Sequence, residues 1–151
     1  MALVVAGTSN SYDLDRFVLA QAPVYDRVRA ELRAGRKTSH WMWFVFPQIA
    51  GLGYSATARR YAISSIDEAR AYLAHRVLGP RLLECTGLVA ATTGRKAAEI
   101  FGHPDDLKLR SSMTLFARAA ADPRPFTEVL DRYFDGVPDG VTLEKLAASA
   151  D

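Results

Sequence analysis

Helix start and stop signals recur along the whole chain, and they limit its architecture more than any single motif does. Gly35, Pro47, Gly94, Gly102 and Gly136 are placed to end helices, glycine because it accepts the left-handed turn after a last helical residue and proline because it cannot continue one. Between the signals, side chains recur at helical spacing. Phe17, Gln21, Val24, Tyr25, Val28 and Leu32 do so ahead of Gly35, with Pro23 dividing that stretch into a short helix and a longer one. Leu82, Leu83, Leu88 and Val89 precede Gly94, and Phe126, Val129, Leu130, Tyr133 and Phe134 precede Gly136. The consistent reading is all-α, a compact multihelical single domain of about seven short helices over 13–149.

Start signals refine it. Asp13 is a plausible N-cap, Ser55 opens a short helix through Tyr61, and Ser65-Ile66-Asp67-Glu68 reads as a capping box leading to about Ala74. Pro80 suits a first turn, Lys96 to Phe101 is one more short helix, and Thr142 begins a last one. Pro104-Asp105-Asp106 introduces an amphipathic stretch, Leu107 to Ala121, with Leu109, Met113, Phe116 and Ala120 on one face and Asp105 as its cap. Leu3–Ala6 and Trp41–Phe46 compete as strands; helix is favoured at 40–46 because Thr38 and Ser39 stand ready as caps and Pro47 follows. Residues 1–12 read as a loosely held tail.

Composition narrows function by exclusion. The chain has 151 residues and a single cysteine, enough length to bury a core without a disulfide or metal. It shows no apolar run long enough to span a bilayer and no basic, signal-like start. The expectation is therefore a cytoplasmic protein. Net charge is only +2. From Arg27 to Arg60, however, Arg27, Arg29, Arg33, Arg36, Lys37, Arg59 and Arg60 face a lone acid, Glu31. A solvated helix face explains this, and so does a surface for an anionic partner. His40, His75, His103 and Cys85 are scattered without the i, i+3 or i, i+4 pairing of metal ligands, so no metal site is expected. Cys85 reads as a small buried hydrophobe.

Two segments carry candidate chemistry. In the first, His40-Trp41-Met42-Trp43-Phe44-Val45-Phe46-Pro47-Gln48 leads into Gly51-Leu52-Gly53-Tyr54-Ser55. Trp41, Phe44 and Phe46 read as core. Trp43 is the expected floor of a pocket with His40, Gln48 and Ser55 on its polar rim, and Gly51 and Gly53 admit a ligand or another backbone closely. In the second, Lys108, Ser111 and Ser112, followed by Thr114, set an ammonium and hydroxyls within a turn of each other, a combination suited to phosphate or carboxylate. The structural alternative is that the two serines bond back to carbonyls one turn earlier.

These strings, with Lys108-Leu109-Arg110-Ser111-Ser112-Met113-Thr114-Leu115-Phe116, resemble a small bacterial family, domain of unknown function 1810, some of whose members carry the label calpastatin. The resemblance runs from about Asp13 to Leu146 and extends to Gln21, Tyr61, Tyr72-Leu73, Leu78-Gly79, Arg81-Leu82, Phe101-Gly102 and Asp105. It implies a mostly helical, monomer-sized fold and carries over no reaction, cofactor or catalytic residue. At His75-Arg76 relatives tend to have His-Pro, so the turn there departs from the family pattern.

The function expected from these residues is binding of a small phosphorylated or nucleotide-like ligand in a cleft between the His40–Gln48 and Lys108–Thr114 segments. The alternative is an interaction module whose Arg27–Lys37 surface contacts a protein partner or nucleic acid.

Overall fold

Most of the stop signals do their expected work. In the computed structural model, which describes residues 12–150, Gly35 takes φ +70° directly after α2 (Tyr25–Ala34), and Gly102 takes φ +76° after α7 (Ala97–Phe101). Asp135 and Gly136 both have positive φ where α9 (Arg124–Phe134) ends. The remaining helices are α1 (Asp15–Gln21), α3 (Met42–Val45), α4 (Ala56–Arg60), α5 (Ile66–Ala74), α6 (Leu78–Ala91), α8 (Asp105–Ala119) and α10 (Gly140–Ala150). That makes ten among the described residues, more than the expected seven, because several span only one or two turns. None of the described helices is long and apolar enough to cross a membrane. The tail expected at 1–12 lies outside the described residues except for Tyr12, and Leu3–Ala6 lies wholly outside them.

No strand occurs among the described residues. An isolated parallel bridge joins Ile49 to Ile63, with Ile63 N–H donating to Gln48 O and Ala50 N–H to Ile63 O, both at 2.8 Å. The run at 40–46 is helical, as expected, yet for only one turn. That turn sorts its aromatics: Trp41 and Phe46 are fully buried, whereas Trp43 and Phe44 are only half-buried.

Capping differs from expectation at four places. Asp13 adopts φ +51° and offers its backbone carbonyl to Arg16, not its side chain to α1. Thr38 and Ser39 do not cap α3; their N–H groups and the Ser39 hydroxyl donate to the Glu31 carboxylate. Asp105 is inside the first turn of α8 and forms ion pairs. At the departing His75-Arg76 turn, His75 Nδ1 accepts from the N–H of Val77 and Leu78 at 3.1 and 3.2 Å, so a histidine starts α6. Ser55 and Ser65 do cap as expected, accepting from Ala58 and Glu68 N–H.

Helix α8 is central, packing against α5, α7, α9 and α10. Every residue from Ser111 to Phe116 is buried, so the middle of this helix is enclosed all round and not on the single face expected from its spacing, while Leu107 and Arg118 toward its ends stay exposed. Rings run through the core from Phe17 to Tyr72 (5.2 Å between centroids), Phe116 (5.3 Å) and Phe126 (6.0 Å). Trp41, Phe46 and Phe101 form a second group. One contiguous cluster spans Leu14 to Leu130.

Candidate functional site

The bridge at Ile49–Ile63 holds residues 48–54 as a loop across the N-terminal half of α8, and Trp43 turns outward from α3 toward the same place. The two sequence segments meet there. An outer lobe of about 460 Å3 is walled on one side by Trp43, Gln48, Gly51, Gly53 and Tyr54 and on the other by Lys108, Ser111 and Asp139, with Pro104, Leu107 and Val141 at its edge. An inner lobe of about 140 Å3 continues from it between Trp43, Gln48, Ala58, Arg59 and Tyr61.

Lys108 is the charged centre of the outer lobe. Its ammonium is 4.6 Å from the centroid of the Trp43 ring and 3.1 Å from Asp105 Oδ1. The other oxygen of Asp105 pairs at 2.9 Å with Lys37, whose side chain is only 7% exposed and whose ammonium lies over Trp41. Burial works to raise the Asp105 pKa, but the hydrogen bonds from Lys37 and Lys108 outweigh it, and the carboxyl stays below its usual value. An ammonium has three donors. With one on Asp105 and the Trp43 face beneath it, Lys108 keeps capacity for a ligand.

Two further cations border the site. A Cβ built on Gly51, which has φ +98°, would lie 3.2 Å from both Cε and Nζ of Lys145, so the absence of a side chain there lets a lysine from α10 close over the loop. At Gly53 the close neighbour is the Ala58 methyl. Arg59 lines the inner lobe. The carboxylate in the outer wall, Asp139, is occupied: its Oδ2 accepts from Thr142 N–H, Thr142 Oγ1 and Ser111 Oγ and so caps α10.

The remaining expected residues divide. Ser111 lines the cleft with its hydroxyl placed to donate either to Leu107 O or to Asp139, as the structural alternative anticipates. Thr114 is buried and supports the wall from behind, donating to Arg110 O and accepting from Asp139 N–H. Ser112 is fully buried, its hydroxyl without a partner, and points away from the lining. His40 is exposed and Ser55 caps α4; neither lines a lobe. Sequence reasoning missed Tyr54, Arg59, Asp139 and Lys145. Asp139 alone carried a legible signal, an acid between Pro138 and Gly140 just before a helix.

Elsewhere, burial pushes the Cys85 thiol up to about 12, although the Tyr25 hydroxyl beside it works the other way. No cluster of His, Cys, Asp and Glu suited to a metal ion is found among the described residues.

A family model described as "Protein of unknown function (DUF1810)" matches residues 11–146. The crystal structure of the conserved hypothetical protein Rv1873 from Mycobacterium tuberculosis, solved at 1.38 Å, is similar with a TM-score of 0.90 and 61% identity, over 91% of this chain and 99% of that one. No curated protein matches.

Proposed function

The chain belongs to the DUF1810 family of proteins of unknown function, and for this member we propose a binding function, with a small phosphorylated or nucleotide-like ligand held in the cleft between the 43–54 segment and the first turns of α8. The carrying observation is Lys108, an ammonium seated on the Trp43 ring inside a recess of about 460 Å3. Lys145 and Arg59 add positive charge, while the wall carboxylate already has three donors. A recess with an aromatic floor and a few convergent polar groups is the usual composition of a ligand site, and an ammonium with donors to spare supplies charge-assisted hydrogen bonds to phosphate oxygens. Neither the buried thiol of Cys85 nor His40 reaches a ligand held there. In this reading the protein is a cytoplasmic monomer, its lone cysteine leaving no internal disulfide.

Calorimetric titration with nucleotides and sugar phosphates tests it. Lys108→Ala removes the central charge while Asp105 keeps Lys37 as partner, so the variant folds and its affinity falls about tenfold or more. Unchanged affinity in Lys108→Ala refutes the assignment.

One observation favours a second reading, in which a basic surface binds a polyanion. A groove of about 450 Å3 between the ends of α2 and α6 is lined by Arg33, Arg95, Thr92 and Thr93 and by no carboxylate. Within Arg27–Lys37, the Lys37 side chain is only 7% exposed and pairs with Asp105, and Arg29 pairs with Asp26 and Glu84, so this surface is smaller than its sequence indicates. Oligonucleotide binding that weakens steeply with salt and is lost in the pair Arg33→Glu, Arg95→Glu supports this reading; salt-independent or absent binding removes it.

A further inference from the structure

We infer that the cleft is built for a nucleotide, with a heteroaromatic ring in the inner lobe against Trp43 and Tyr61, joined through a sugar to a phosphate at Lys108. The inference rests on the anion-binding reading above and adds the chemistry of the ligand's other end.

Three observations carry it. The first is size and wall chemistry: the inner lobe holds about 140 Å3, and a cavity of roughly 150 Å3 accepts one benzene-sized ring. Its lining combines the aromatic side chains Trp43 and Tyr61 with the small residues Gly51, Gly53 and Ala58, which leave room beside aromatic surface for a flat group. The second is Gln48. It lines both lobes, its backbone carbonyl is fixed by Ile63 N–H at 2.8 Å, and its side-chain carboxamide makes no hydrogen bond among the described residues. A carboxamide offers a donor and an acceptor side by side, the pattern that matches the amide-like or amidine-like edge of a nucleobase. A fully ionised phosphate offers acceptors alone and cannot match both atoms of the carboxamide.

The third is the rim. Six large apolar side chains remain strongly exposed among the described residues, and three of them, Tyr54 (79%), Leu107 (48%) and Val141 (47%), line the outer lobe. Apolar surface gathered at the mouth of a charged recess marks a contact surface. A ribose between base and phosphate has C–H faces to cover it, and Tyr54 has a free ring to stack on them.

The probes are adenosine, guanosine and cytidine 5′-monophosphates against ribose 5-phosphate, which keeps sugar and phosphate and lacks the ring. At least one nucleotide binds about tenfold or more tightly than ribose 5-phosphate, the scale of one stacked base. Gln48→Ala and Ala58→Leu, the latter filling the inner lobe without removing a polar group, each reduce that preference to below about threefold while the melting temperature stays near that of the parent. In a 1H–15N spectrum the indole signal of half-exposed Trp43 moves on titration, while that of Trp41, fully buried and hydrogen-bonded to Glu31, does not. Equal affinity for ribose 5-phosphate and every nucleotide, with Lys108→Ala still weakening both, overturns the ring assignment and leaves the anion site standing. Failure of all four probes removes both. A nucleotide preference that survives Gln48→Ala and Ala58→Leu also overturns it, because the ring then sits elsewhere.

Discussion

Glu31 shows how much one buried residue organises. It is the lone acid in a basic stretch, only 8% exposed, and its carboxylate accepts from Thr38 N–H, Ser39 N–H, Ser39 Oγ and Trp41 Nε1 at 2.6 to 3.1 Å. Burial by itself raises its pKa; the four donors overcome that and bring it to about 2 from an ordinary 4.5. Since the folded value is the lower one, this contribution is fully present above about pH 4.5 and is lost as pH falls toward 2. The difference corresponds to on the order of 3 kcal/mol. Urea unfolding of the parent therefore shows a larger acid-side loss of stability than Glu31→Gln does, and at pH 7 that variant is weaker by about 2–4 kcal/mol. Ser112 presents the opposite case. Its buried hydroxyl has no partner, so Ser112→Ala removes an uncompensated polar group and stabilises by about 1 kcal/mol, a rise of roughly 2–4 °C in Tm for a chain of this size. A lower Tm would mean that the hydroxyl is satisfied after all. The sequence placed Ser112 beside Lys108 correctly along the helix, but which neighbours surround that helix is not written in its spacing.

Among the helix junctions, the one between the end of α5 and the start of α6 depends on a glycine. A Cβ on Gly79 would meet the Leu73 carbonyl oxygen at 2.1 Å, and that atom is backbone, unable to swing away. Gly79→Ala must separate the two helices, and a destabilisation of about 2–4 kcal/mol follows; denaturant midpoints measure it, and an unchanged midpoint contradicts the packing described. His75 acts at the same junction, its ring nitrogen accepting from the first N–H groups of α6. Element boundaries were legible wherever a local signal set them. Ser65 caps α5 and Gly35 closes α2 through their own backbone preferences. Asp105 was misread as a cap because one of its two partners comes from elsewhere: Lys37 lies far back in sequence and is brought close only by the packing of α7 and α8.

For the whole molecule, the cleft joins three parts of the chain: the segment 43–58, the start of α8 and the start of α10. A ligand there stabilises the folded state as a unit, and at 100 times its dissociation constant adds about 2.7 kcal/mol, which is roughly 5–10 °C in Tm. Lys108→Ala removes that shift while leaving the unliganded Tm within a few degrees; a shift that persists in the variant places the ligand elsewhere. The sequence by itself determined the all-helical class and most helix ends, because caps, stop residues and helical spacing act within a few residues of chain. Only the tertiary structure decided that Trp43 faces Lys108, that Lys145 closes over Gly51, that His40 is left outside and Ser112 inside, and that Lys37 is withdrawn from the basic surface. Those outcomes depend on which helix surfaces bury against one another, a property of the packed core that local backbone preference does not encode.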